Sequence, residues 1–139
     1  MAADRIGSRR GFTLVETALV VVIMGMLLAI AAPRFRAMRA GFTIDTAAYQ
    51  LAGDLRRAQV EAVKLNQTIT VAKTATSTYN ITAIGNRTFE PGVSFGAAAM
   101  TVSFASFGPP IGGGATFTIT HSGRTKTVTV GANGLVTVQ

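Results

Sequence analysis

Residues 12–33 read FTLVETALVVVIMGMLLAIAAP, an apolar stretch in which Glu16 is the sole charge. As an α-helix these 22 residues would extend about 33 Å at ~1.5 Å per residue, close to the ~30 Å hydrocarbon core of a bilayer. The stretch is long enough to span a membrane. Arg5, Arg9 and Arg10 precede it and Arg34, Arg36 and Arg39 follow it, so six of the 13 Lys and Arg residues flank the apolar run. That three-to-three balance assigns no orientation by the distribution of positive charge. It does account for much of the net charge of +7 without invoking nucleic acid. A cleaved secretory signal is the competing reading, because Ala29-Ile30-Ala31 imitates a small-residue cleavage site. An acid inside the apolar segment and a helical pattern that runs on past that site both oppose it.

Beyond Pro33, apolar or small residues recur at Phe35, Met38, Phe42, Ala48, Ala52, Leu55, Ala58, Ala62 and Leu65, mostly three or four apart, as on one face of a helix. Arg57 with Glu61, and Glu61 with Lys64, have the spacing of stabilising ion pairs on the opposite face. Pro33 removes one helical hydrogen bond and predicts a kink, and Asn66 suits the helix end. From residue 68 the composition turns to Thr, Val, Ile, Phe and Gly. Short alternating runs predict strands over residues 68–74, 78–84, 93–95, 101–106, 115–121, 124–130 and 135–138. Ser122-Gly123 and Asn133-Gly134 are tight-turn dipeptides, so the last three strands read as an antiparallel meander, whereas residues 108–114 (GPPIGGG) read as a loop.

The expected organisation is a leader over residues 1–11, a membrane or filament-core helix over 12–33, its amphipathic continuation over 34–66, and a β-rich domain over 67–139. That domain's 73 residues lie near the ~70–80 at which one hydrophobic core is marginal alone. The helix face from Ala48 to Leu65 is therefore expected to close it, giving an α+β fold in which the C-terminal half of a long helix packs on an antiparallel β-sheet or sandwich.

Little in the sequence points to catalysis. The chain has no cysteine, one histidine (His121), and one acid (Glu90) in the β region. Gly112–Gly114 are not followed by the Lys-Ser/Thr of a phosphate-binding loop, and the N-x-T triplets at Asn66, Asn80 and Asn86 are what Thr-rich strands produce by chance. No enzymatic activity, cofactor or metal is expected.

One constellation is specific: Arg9-Arg10-Gly11-Phe12-Thr13-Leu14-Val15-Glu16, followed at once by the apolar run. It resembles the class III signal of type IV prepilins and type II secretion pseudopilins. The resemblance implies cleavage after Gly11 by a prepilin peptidase and methylation of the new amino terminus at Phe12. Glu16 would be the fifth mature residue and Pro33 the twenty-second, positions at which the family carries Glu and Pro. In assembly the partner of Glu16 would be the amino terminus of a neighbouring subunit. Leu55–Asn66, Thr68–Val71, Phe104–Gly108 and Gly123–Val130 before Gly134 more loosely resemble the GspH/FimT group of minor pilins.

These resemblances imply a subunit anchored in the bacterial inner membrane with its C-terminal domain in the periplasm. It would assemble with other pilin or pseudopilin subunits into a filament for type II secretion or type IV pilus biogenesis. The alternative is a FimT-like DNA-binding minor pilin acting in DNA uptake through Arg124 and Lys126, with Arg87 and Lys73 as further candidates. A few cations with no aromatic residue beside them supply little affinity for DNA, which favours ordinary surface charges.

Cleavage after Gly11 would leave 128 residues starting at Phe12 and lower the formal charge from +7 to 10 minus 5, or +5. Intact mass and N-terminal sequencing of the membrane-bound chain are expected to find Phe12 first; an N terminus at Ala32 would establish an ordinary signal peptide instead.

Overall fold

The computed structural model describes residues 12–97 and 100–139. It contains one helix, α1 (Leu14–Leu65), followed by eight strands: β1 (Ile69–Lys73), β2 (Thr78–Ile81), β3 (Gly85–Thr88), β4 (Ser94–Phe95), β5 (Thr101–Phe104), β6 (Ala115–His121), β7 (Arg124–Val130) and β8 (Val136–Val138). The chain divides into two compact units, Met1–Ala37 and Met38–Gln139.

In the first unit the described residues from Leu14 onward are helical, and all of them are exposed. Pro33 lies within α1 without interrupting it.

In the second unit α1 supplies Ile44, Ala47, Ala48, Leu51, Ala52, Leu55, Ala58 and Ala62 to the core. Their three- and four-residue spacing keeps them on one stripe, and the alanines let the helix backbone approach the strands closely. The helix stops at Asn66, which adopts φ 51°. There the Asn66 N–H donates to the Val63 carbonyl at 3.3 Å and the Gln67 N–H to the Ala62 carbonyl at 3.1 Å. This pair of bonds satisfies carbonyls that the last turn would otherwise leave open.

The strands form two antiparallel four-stranded sheets, ordered β3-β2-β1-β5 and β4-β6-β7-β8. Inward residues alternate along them, with Ile69 and Val71, Tyr79 and Ile81, Phe117 and Ile119, and Val128 and Val130 all buried. An aromatic cluster joins the sheets: Tyr79 of β2 meets Phe89 at 5.3 Å and Phe95 of β4 edge-on at 5.8 Å, and Phe95 continues to Phe117 of β6 at 6.5 Å. The β6-β7-β8 meander pairs as expected.

Several sequence expectations are corrected. Phe35, Met38 and Phe42 are 64%, 54% and 65% exposed, so they do not continue the buried face. Six residues separate Phe42 from Ala48, a rotation of about 240° at ~3.6 residues per turn, so the two cannot share a stripe. Leu65, at the last helical position, is also exposed. The second strand ends at Ile81; residues 82–84 turn, and β3, which the sequence did not announce, follows at Gly85. The strand expected over 101–106 stops at Phe104, because Ala105 begins a turn closed by the Gly108 N–H. Glu61 pairs with Lys64 at 3.4 Å, and among the described residues no ion pair joins it to Arg57.

The sequence also gave no sign of the polar contact that ties the helix to the first sheet. The buried Tyr79 hydroxyl donates to Asp54 Oδ2 at 2.6 Å, and Arg87 Nε lies 3.7 Å from the same oxygen. Burial, then the hydrogen bond to Asp54 and its negative charge, push the Tyr79 hydroxyl upward from its ordinary range, against smaller opposing effects of Gln50 and Arg87. The folded state therefore favours the protonated phenol. Its contribution to stability is complete below the unfolded value of about 10 and is lost as pH rises through the folded value. Tyr79→Phe is expected to lower unfolding stability by about 1.5–3 kcal/mol at neutral pH, the worth of a hydrogen bond to a charged group. Urea titrations of the full chain in detergent should also find a smaller stability loss in the variant than in the wild type between about pH 8 and about pH 11.

Candidate functional site

At the start of α1, Thr13 Oγ1 accepts the backbone N–H of Glu16 at 3.2 Å, and Thr17 Oγ1 donates to the Thr13 carbonyl at 3.2 Å. Thr13-x-x-Glu16 has the spacing of a capping box, with Thr13 as the cap and Glu16 in the first turn. Phe12 is 80% exposed. Gly11, the expected cleavage position, lies outside the described residues. The apolar helix that follows reaches a mean hydropathy of 2.5 over 18 residues, none of them buried. A soluble monomer rarely leaves an apolar surface of that extent uncovered.

The second place holding expected residues is the β6-β7 hairpin. Ser122 (φ 49°) and Gly123 (φ 76°) make the two-residue turn, which sets His121 opposite Arg124. Alternation along β7 puts Arg124 and Lys126 on one face. Lys126 Nζ lies 3.3 Å from Asp45 Oδ1 on α1, and a β-carbon at Gly41 would lie 3.5 Å from Arg124 Nη1. Gly41, Ile44, Asp45, Arg124, Thr125 and Lys126 line a cleft of about 380 Å³.

The other two expected cations stand on the first sheet: Lys73 Nζ donates to the Gly96 carbonyl at 2.7 Å, and Arg87 faces Asp54. The structure thus brings Arg124 and Lys126 together and engages Arg87 and Lys73 elsewhere. His121 Nδ1 is 2.8 Å from the Gly92 carbonyl, which makes it a donor in a loop contact. Among the described residues no three His, Cys, Asp or Glu side chains converge on a point where a metal could sit.

Sequence reasoning missed Asp45 and Gly41 as neighbours of the hairpin, since neither belongs to a motif. It also missed the cap at Thr13, although its spacing to Glu16 was readable. A separate groove of about 590 Å³ lies between Val60 and Val63 of α1 and Phe107, which is 79% exposed.

Comparison with known proteins gives these features a context. A match to the prokaryotic N-terminal methylation motif covers residues 6–32. The chain carries that motif. It is 36% identical over 95 residues to the pilin-like protein PilA1 of Thermus thermophilus, an alignment covering 65% of this chain and 59% of that protein's own length. The fold matches that of the type IV minor pilin FimU of Pseudomonas aeruginosa, with a TM-score of 0.58 at 18% identity over 68% of this chain and 87% of the other. A second crystal form of FimU gives a TM-score of 0.56 at 17% identity, covering 68% and 91% of the two chains. One long apolar helix with antiparallel β-sheets is therefore the type IV pilin fold, and the similarity in sequence is to a pilin-like protein.

Proposed function

We propose that the chain is a minor pilin-like subunit, cut after Gly11, methylated at Phe12, held in the inner membrane by residues 12–33, and assembled with other pilin subunits into a filament. The observation that carries this reading is the methylation motif matched over residues 6–32, which runs into the apolar and exposed first part of α1. The unit from Met38 closes a core of its own, with Leu51, Leu55, Tyr79, Phe104 and Phe117 fully buried. The apolar helix must find its cover outside the chain, first in lipid and then against other apolar helices. The subunit is structural: it binds, orients and packs, and performs no reaction.

Glu16 has a defined part in this reading. An ionised carboxylate near the hydrocarbon region lacks hydration, and the new amino terminus of a neighbouring subunit at its own Phe12 is equally in need of a counter-charge. Bringing the two together in a water-poor bundle relieves both and fixes the axial register of the incoming subunit.

Glu16→Gln keeps the side-chain size and removes the charge. The variant is expected to insert and to be cut after Gly11 as the wild type is. Its recovery in sheared filaments, or cross-linked to the major subunit, should fall by about tenfold or more, which corresponds to at least about 1.4 kcal/mol of lost pairing. Wild-type incorporation of the Gln variant would show that apolar packing alone sets the register.

A further inference from the structure

Asn133 is the only asparagine of the chain that a glycine follows; Asn66, Asn80 and Asn86 precede Gln67, Ile81 and Arg87. A glycine nitrogen, with no side chain beside it, is the least hindered nucleophile that the backbone offers to the amide side chain before it. We propose that Asn133 is a site of spontaneous deamidation and isoaspartate formation, and that the turn between β7 and β8 holds the reaction closed until that turn opens.

The chemistry needs only water. The Gly134 backbone nitrogen attacks Asn133 Cγ and forms a Cγ–N bond. The Cγ–Nδ2 bond breaks, and ammonia leaves with the proton that the Gly134 nitrogen gives up. Water then opens the resulting succinimide at one of its two carbonyls. One product is aspartate; the other is isoaspartate, in which the backbone runs through the former side chain and is one atom longer.

In the folded turn both reacting groups are engaged. The Gly134 N–H donates to the Gly131 carbonyl at 2.8 Å, and the Gly131 N–H closes the loop on the Leu135 carbonyl at 2.8 Å. Asn133 Oδ1 accepts the Leu135 N–H at 3.0 Å and lies 2.8 Å from where a β-carbon on Gly131 would stand, so its side chain is folded back over Gly131. Gly134 is buried at φ 82°, and a β-carbon on it would overlap the Gln59 side chain of α1. Ring closure takes the proton from the Gly134 nitrogen, so the bond to Gly131 is lost on the way. The bond to Leu135 resists the side-chain rotation that brings Cγ to that nitrogen. Asn133 itself is exposed, which leaves the way open for water and ammonia. Beyond the turn, β8 sets Val136 opposite Val130 and Val138 opposite Val128, and the Val136 carbonyl accepts Arg56 Nη2 at 2.9 Å. An extra backbone atom before Gly134 shifts that register, so isoaspartate formed during an opening keeps the turn from closing as before.

The test incubates the full chain in detergent, folded or with its β domain unfolded in urea, at one pH and temperature. Peptide mapping that separates asparagine, aspartate and isoaspartate follows each site. In urea, conversion is expected at Asn133 ahead of Asn66, Asn80 and Asn86. In the folded chain it should be at least about tenfold slower, since the open form of a local equilibrium is populated to about 0.1–10%. Val136, buried just beyond the turn, anchors β8. Val136→Ala loosens that anchor and is expected to speed conversion in the folded chain while leaving the rate in urea unchanged. Hydrogen exchange of the Gly134 amide should rise by the same factor. A thermal transition above the incubation temperature confirms that the variant is folded.

Conversion in urea no faster at Asn133 than at the other asparagines overturns the site. Equal rates at Asn133 in the folded and the unfolded chain overturn the protection by the turn. Rates of conversion and of Gly134 exchange that do not move together between the wild type and Val136→Ala would show that opening of the turn does not gate the reaction.

Discussion

The β region becomes a domain only because α1 lays a narrow, alanine-rich stripe against it. Ala47, Ala48, Ala52, Ala58 and Ala62 are almost wholly buried, and Leu51 and Leu55 stand between them as the large side chains. Small residues let the helix approach closely and those two leucines fill the core it shares with the strands, whose own inward residues cannot close a core of this size alone. Among the described residues the two sheets share no hydrogen-bonded strand pair. Side-chain packing joins them, through the aromatic run from Tyr79 and Phe89 by way of Phe95 to Phe117 and through the helix stripe. Hydrogen bonds from Lys73 Nζ to the Gly96 carbonyl and from the Phe95 N–H to the Thr76 carbonyl, each 2.7 Å, add to it. A larger residue at Ala52 or Ala58 would therefore disturb the joint between the sheets as well as the helix.

Polar contacts fix how the helix sits on this surface. Apolar stripes slide at little cost, whereas a directional bond does not. Tyr79 with Asp54 ties α1 to the middle of the first sheet, and Lys126 with Asp45 ties it to the hairpin of the second. Arg56 adds a third tie, donating to the Val136 carbonyl of β8 at 2.9 Å. The exposed Lys126 pair is worth at most about 1 kcal/mol, while the buried Tyr79 bond to a carboxylate is worth about 1.5–3 kcal/mol. The register of the helix therefore depends mainly on Tyr79.

Where local chemistry decided the structure, the sequence was legible. Residues 115–121 and 124–130 alternate cleanly around Ser122-Gly123, and both strands have the expected ends. β3 could not be read, because Gly85-Asn86-Arg87-Thr88 is a polar edge strand with no apolar alternation. The helix periodicity located the residues from Ala48 to Ala62 correctly but was carried too far back, since the six-residue step from Phe42 to Ala48 leaves the stripe that Ile44 continues. Ile44, Ala47 and Leu51 were passed over for the same reason. The methylation motif was legible because its chemistry is local in the chain. The neighbours of Arg124 were not, because Gly41 and Asp45 come from more than 80 residues earlier and meet the hairpin only through the tertiary fold.

The cap at the start of α1 gives Glu16 a second, local explanation that must be weighed against the proposed one. A carboxylate in the first helical turn gains from the helix dipole and from the capping arrangement with Thr13. At an exposed site that gain is about 0.3–1 kcal/mol. Placing an acid within a membrane-spanning segment costs about 2.5–3.5 kcal/mol even on permissive scales. The cap therefore offsets only a minor part of the cost. A glutamate at this position is worth its cost only if something outside the helix meets it. In a filament of the proposed kind the apolar run would exclude water as that partner, which would leave a cation brought by another chain. Under the proposed reading, the amino terminus that cleavage after Gly11 would expose is such a cation, and it would arise only on processed subunits. Under the proposed reading, Glu16 couples assembly to processing: a subunit that keeps its leader has no free amine at Phe12 to offer.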